Sequence, residues 1–173
     1  RDVSRTFPKH KLFADEGGQG QTRLFNVMKA YSLYDQEVGY CQGMAFVVAL
    51  ILTQMPEEEA FAVFVQMMGK YKLRRMYIPG MSGVDLSLFQ LENMIQDLNP
   101  RLHKHFQMHG MFASMYASSW FLSLFTITFS PSLASRVVDL FLVEGLDVIL
   151  ALCYSMLDVC SYELLTRDLE GMI

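Results

Sequence analysis

Pro56-Glu57-Glu58-Glu59-Ala60-Phe61-Ala62-Val63-Phe64-Val65-Gln66-Met67-Met68-Gly69 reads as one helix with both of its ends marked. Proline is tolerated at the first helical position, where its missing N–H has no intrahelical partner. The three acids behind it sit at the positive end of the helix dipole. The helix should run to about Met68, with Gly69 past its end as the stop.

The same punctuation recurs on both sides. Upstream, Gly17-Gly18-Gln19-Gly20 reads as a loop, followed by Leu24, Val27, Met28, Tyr31 and Tyr34 at helical spacing. Downstream, Ser82-Gly83 breaks the chain, and Asp85 can cap a helix carrying Leu86, Phe89, Met94, Ile95 and Leu98. Asn99-Pro100 and Ser130-Pro131 each pair a cap with a proline and open another helix. Glu144-Gly145 closes the last of these, and Leu146 to Leu157 begins one more. No alternating strand pattern, internal repeat or low-complexity linker competes, so residues 1–173 read as a single all-α, multi-helix domain.

Composition narrows the function classes. A chain of 173 residues fits one domain, and 52% hydrophobic residues supply a full core. The net charge is −4 and Lys and Arg are scattered, so no basic field offers itself to nucleic acid. Cys41, Cys153 and Cys160 lie among apolar neighbours in an odd number, which predicts buried, reduced thiols in a cytosolic protein. Mean hydropathy is +0.23, and the stretch from Gly110 to Ser135 carries no Asp, Glu, Lys or Arg. That is long enough to span a bilayer. Its recurrent Ser and Thr, Pro131 and the absence of flanking Lys/Arg clusters favour a helix buried within a soluble domain instead. Arg1 to Lys11 is polar, so no signal peptide is expected.

Two segments hold dense polar residues in odd places. In Arg1-Asp2-Val3-Ser4-Arg5-Thr6-Phe7-Pro8, Asp2 and Arg5 lie three apart and share a face on a helical turn. Pro8 should push Phe7 towards an extended conformation, leaving Arg5 at a helix-to-loop junction. A solvated surface ion pair would account for this equally. In Gly39-Tyr40-Cys41-Gln42-Gly43-Met44, Gln42 stands before an apolar run, Met44 to Leu52, that must be buried. The flanking glycines allow a turn or the close approach of another backbone. Periodicity alone does not separate a functional Gln42 from one that caps the next helix.

The paired motifs RDVSRT and GYCQGM resemble the two signature motifs of the TBC domain, the Rab GTPase-activating family. The resemblance continues through PEEEAF at Pro56–Phe61, YASSWFLSLF at Tyr116–Phe125 and DLFLVEG at Asp139–Gly145. It implies an all-helical TBC domain, partial and trimmed at both ends, that accelerates GTP hydrolysis on a Rab-type GTPase in its GTP-bound form. It further implies that Arg5 is an arginine finger and Gln42 a glutamine finger. Asp2 would orient the arginine, and Tyr40 and Gly43 would frame the glutamine. The chemistry suits these residue types. A guanidinium neutralises charge developing on phosphate oxygens through a planar fork of donors. A neutral amide can accept from the attacking water while donating to the γ-phosphate.

GTP and Mg²⁺ would be carried by the partner, with no cofactor of the chain's own. The Gly-rich GGQGQT at Gly17–Thr22 lacks the Lys-Ser/Thr ending of a P-loop. The expected protein is cytoplasmic, recruited peripherally to endomembranes in vesicle trafficking, with no nucleic-acid partner and no membrane insertion. The alternative is the same fold binding a GTPase or other partner without catalysis. His103, His105 and His109 lack further ligands at zinc spacing and read as solvated. Ser118-Ser119 has no nucleophile-elbow context, and Trp120 with Phe121 and Phe125 reads as core packing.

Overall fold

A computed structural model describes residues 2–172. Eleven α-helices and no strand occur among them: α1 (Gln19–Tyr34), α2 (Met44–Leu52), α3 (Glu57–Gly69), α4 (Ser82–Leu98), α5 (Pro100–His109), α6 (Ala113–Tyr116), α7 (Ser118–Ser123), α8 (Pro131–Glu144), α9 (Leu146–Val159), α10 (Ser161–Leu164) and α11 (Leu169–Met172). Two 3-10 turns, Val3–Arg5 and Leu73–Met76, complete the framework.

The apolar run at Met44–Leu52 dictates the arrangement. Every residue of α2 except Phe46 is buried, so the helix must be wrapped on nearly all sides. It packs against α1 and α3 on one flank and α7 and α8 on another. From α1, Leu24, Val27, Met28 and Tyr31 face this core, and from α3, Ala60, Phe64, Met67 and Met68. Tyr31 meets Phe64 edge-on at 4.9 Å between ring centroids. A second group forms where α4 packs on α5 and α9.

Local chemistry fixes many helix ends as expected. Asn99 accepts a 3.1 Å hydrogen bond from the Leu102 N–H, and Pro100 follows as the first helical residue. Pro56 precedes Glu57 as the cap itself, and Gly69 is the last residue of α3 rather than the first beyond it. Glu144 ends α8 and Gly145 turns the chain into α9.

Several expectations give way to tertiary contacts. Ser82-Gly83 is no break: α4 begins at Ser82, so Asp85 lies within the helix instead of capping it. Gly83 is there because a Cβ would come within 2.4 Å of the Arg75 carbonyl oxygen. The buried face of α4 is then Val84, Ser87, Leu91 and Ile95, while Leu86, Phe89 and Leu98 are exposed. The GGQG loop also ends early, since Gln19 and Gly20 already belong to α1. Gln21 ties that start down, accepting from the Gly17 N–H and donating to the Phe13 carbonyl. Tyr34 is exposed but sets its ring edge-on against Phe61.

The uncharged stretch from Gly110 to Ser135 is not one buried helix. It folds as α6 and α7 followed by turns, with Leu124 and Phe125 at φ values of 47° and 62°. Its hydroxyls bond to carbonyls of the preceding turn, as in Ser123 to Ser119 at 2.6 Å and Thr126 to Ser123 at 2.6 Å. Trp120, Phe125 and Phe129 stack in series beside them, with Phe121 and Phe125 fully buried. No helix among the described residues is long and apolar enough to cross a membrane. All three cysteines are free, but only Cys153 is buried. Cys41 is half-buried and Cys160 is exposed where α9 ends.

Candidate functional site

Two short segments, nearly forty residues apart in sequence, meet at one surface. The first is the 3-10 turn Val3–Arg5. Asp2 opens it, and its backbone carbonyl accepts from the Arg5 N–H at 3.1 Å and from the Thr6 hydroxyl at 2.7 Å. Thr6 is fully buried, so this hydroxyl bond anchors the turn from inside. Phe7 does not become extended ahead of Pro8. It takes a φ of 48° and lays its ring edge-on against Phe46 of α2, 5.9 Å between centroids. Packing on the central helix outweighs the local preference that Pro8 imposes.

Arg5 projects from the end of this turn with its side chain 72% exposed, and Asp2 holds its guanidinium at 2.8 Å. The other carboxylate oxygen of Asp2 accepts a short hydrogen bond from the Tyr40 hydroxyl. Asp2 is thus the joint between the two motifs. The Tyr40 hydroxyl, followed by the Arg5 charge, holds the Asp2 carboxyl below its usual range. Burial, reinforced by the Asp2 hydrogen bond, pushes the Tyr40 hydroxyl up, so it stays a donor.

The second segment is the loop between α1 and α2. Gly39 and Gly43 adopt φ values of 58° and 103°, and Gln42 lies between them on the surface. The Gln42 side chain makes no hydrogen bond among the described residues, and no side chain caps α2. The capping explanation for Gln42 therefore drops away. Gly43 shows why it has no side chain: a Cβ would lie 2.6 Å from the carbonyl oxygen of Leu122 in α7. That carbonyl is itself held by the hydroxyl of buried Tyr77 at 2.7 Å. Burial raises the Cys41 thiol, so the residue beside Gln42 stays protonated at neutral pH.

Beside Asp2 and Tyr40 runs an open groove of about 360 Å³, lined also by Val3, Phe25, Lys29 and Ser32. The surface therefore offers an exposed guanidinium, an exposed amide with no hydrogen bond among the described residues, and an apolar groove beside Asp2 and Tyr40.

Asp35, Arg74 and Tyr77 were not legible as site residues. Asp35 begins the glutamine loop and accepts from Arg74 at 2.6 and 3.0 Å, from the Tyr31 hydroxyl at 3.0 Å and from the Val38 N–H at 3.3 Å. The Arg74 hydrogen bonds, ahead of those from Val38 and Tyr31, lower its carboxyl to about 2. Arg74 and Asp35 belong to different elements, so no local pattern announces the pair.

The histidines expected to be solvated are each half-buried. His105 and His109 lie ring against ring at 4.5 Å, and His105 bonds the Arg167 carbonyl. Among the described residues, no group of three or more His, Cys, Asp or Glu could hold a metal ion.

Comparison with known proteins adds to this geometry. The sequence profile of the Rab-GTPase-TBC domain matches residues 1–165. Over the full 173 residues the chain is 53% identical to the Rab GTPase-activating protein eat-17 of Caenorhabditis elegans, covering 19% of that protein. It is 50% identical, again over its whole length, to the Ecotropic viral integration site 5 protein homolog of Homo sapiens, covering 21% of it. The chain thus spans about a fifth of the length of these curated relatives. The crystal structure of the Chlamydomonas flagellar RabGAP TBC domain superposes with a TM-score of 0.86 at 27% identity, over 99% of this chain and 57% of that one.

Proposed function

Because this chain belongs to the Rab-GTPase-TBC domain family, we propose that it accelerates GTP hydrolysis by a Rab-family GTPase, with Arg5 and Gln42 acting in trans. The partner binds in its GTP-bound form and brings the nucleotide and Mg²⁺. The observation that carries this reading is the Asp2 carboxylate, which holds Arg5 on one oxygen and Tyr40 on the other. That joint supports treating the two motifs as one site; among the described residues the Gln42 amide has no hydrogen-bond partner and Arg5 pairs with Asp2.

In the transition state, charge passes to the oxygens around the γ-phosphorus. Arg5 neutralises part of that charge through its fork of N–H donors. The Gln42 carbonyl oxygen accepts from the attacking water while its NH₂ donates to the γ-phosphate, aligning the two. The water oxygen bonds to the γ-phosphorus as the bond to the β-phosphate oxygen breaks, a proton of the water passes to the phosphate formed, and GDP and inorganic phosphate are left in the partner's site. An arginine finger is worth about 10³ to 10⁵ in rate in other GTPases, or roughly 4 to 7 kcal/mol of barrier. The reading implies a cytoplasmic protein recruited peripherally to endomembranes.

The test is single-turnover hydrolysis by a responsive GTP-loaded Rab protein at saturating activator, with affinity measured separately. Arg5→Lys keeps the charge but loses the fork, so it should fail nearly as badly as Arg5→Ala while binding is retained. Near-parental acceleration by Arg5→Lys would reduce Arg5 to a surface ion pair. The domain would then be a binding module.

A further inference from the structure

We propose that Arg74 is a positioning residue for Gln42, acting through the loop 35–43; this rests on the reading that Gln42 orients the attacking water. The Gln42 amide has no hydrogen-bond partner among the described residues, so the backbone of its loop sets the point from which it reaches out. Both ends of that loop are held by one short segment, Arg74 to Tyr77.

At the entry, the guanidinium of Arg74 takes both carboxylate oxygens of Asp35, at 2.6 and 3.0 Å, and adds Glu37 at 2.5 Å. Asp35 passes this hold to the backbone, accepting from the Val38 N–H on its side chain and from the Gly39 N–H on its carbonyl at 2.8 Å. At the exit, Tyr77 fixes the Leu122 carbonyl against which Gly43 is seated. The segment itself cannot drift, because Leu73, Met76 and Tyr77 are buried around it.

A fork of fixed donors suits this task better than a point charge. Two parallel bonds to one carboxylate set its angle as well as its distance, and Lys cannot reproduce them. Asp35 is also only 12% exposed on its side chain, so losing Arg74 leaves a nearly buried carboxylate to find water by moving. The loop then opens at its entry, and Gln42 moves with it.

The experiment uses the whole protein and a responsive GTP-loaded Rab GTPase, with maximal single-turnover rate and affinity measured separately. Arg74→Gln should lower the maximal rate by about 10- to 100-fold, the cost of misplacing an aligning group by an ångström or less. Affinity should stay within about threefold, since the contact surface is unchanged. Arg74→Lys should rescue little of the rate. Added to Gln42→Ala, Arg74→Gln should cost nothing more, because it acts through the group already removed.

Full additivity in that double variant, or parallel loss of rate and affinity, overturns the proposal. If Gln42→Ala is slow but Arg74→Gln is parental, Arg74 has no positioning role and the glutamine reading stands. If Gln42→Ala is parental, both fall together. Should Arg74→Gln fail to fold, Glu37→Gln replaces it. Glu37 is 66% exposed and its loss leaves the core untouched. That change should slow the maximal step by about two- to fivefold, the value of one exposed ionic contact, and a parental rate overturns the proposal.

Discussion

Replacing Gly43 with Ala tests the seat on which the glutamine loop rests. The new Cβ would lie 2.6 Å from the Leu122 carbonyl oxygen and 3.1 Å from that residue's carbonyl carbon and Cβ. Opening the first contact to an ordinary separation of about 3.4 Å requires a shift of roughly 0.8 Å. The carbonyl cannot retreat freely, because Tyr77 already holds it at 2.7 Å. The φ of 103° adds backbone strain of about 1 to 3 kcal/mol for any residue with a side chain. Crowding adds about as much again, as in overpacked cores. A total of about 2 to 6 kcal/mol should lower the melting temperature by about 4 to 24 °C for a chain of this size. The same displacement carries Gln42 nearly an ångström from its place, which should slow stimulated hydrolysis on the order of 100-fold. The assay pairs thermal melting with single-turnover hydrolysis at a temperature where the variant is fully folded. Gly39→Ala is the control, since its φ is 58° and nothing lies within 4 Å of its added Cβ. It should cost only the strain, about 1 to 2 kcal/mol. If Gly43→Ala melts with the parent and keeps its rate, the loop is not held by Leu122 and the reasoning fails.

Asp2→Asn or Tyr40→Phe should slow maximal hydrolysis by no more than about fivefold, because an exposed ion pair contributes about 0 to 1 kcal/mol; a loss as large as that of Arg5→Ala would give Asp2 a direct part in the chemistry. Asp35 gives an acid-sensitive contribution to stability. Its folded value of about 2 lies below the ordinary 3.8, so this stabilisation is complete above pH 4 and disappears as pH falls towards 2. It amounts to about 1 to 2 kcal/mol once screening by neighbouring solvent is discounted. Urea unfolding should show the parent and Asp35→Asn converging across that window, and a constant gap would refute the pairing.

What the sequence disclosed follows from how far each signal reaches. Asn99-Pro100, Pro56 with its three acids, and Glu144-Gly145 act within one helical turn, so their roles can be read in place. The apolar run Met44–Leu52 also reads directly, because nine such residues in a row must be mostly buried, and all but Phe46 are. α4 shows the opposite case. Ser82-Gly83 reads as a break ahead of a helix capped by Asp85, yet the helix starts at Ser82, and of the apolar residues it carries Leu86, Phe89 and Leu98 face solvent. Only the approach of the Arg75 carbonyl explains why Gly83 is helical, and that contact is tertiary. The site divides in the same way. Asp2 and Arg5 pair within a single turn, but the bond from Tyr40 to Asp2 and the one from Arg74 to Asp35 span nearly forty residues. Charge and spacing carry no record of such partners.

The seat of Gly43 on Leu122 also orders events in time. Helices α1, α2 and α3 are neighbours in sequence and can assemble soon after they are made, whereas Leu122 follows Gly43 by about 80 residues. At the usual pace of synthesis that delay is about 4 to 16 seconds. Until α7 emerges from the ribosome, the growing chain carries Gln42 on an unlatched loop.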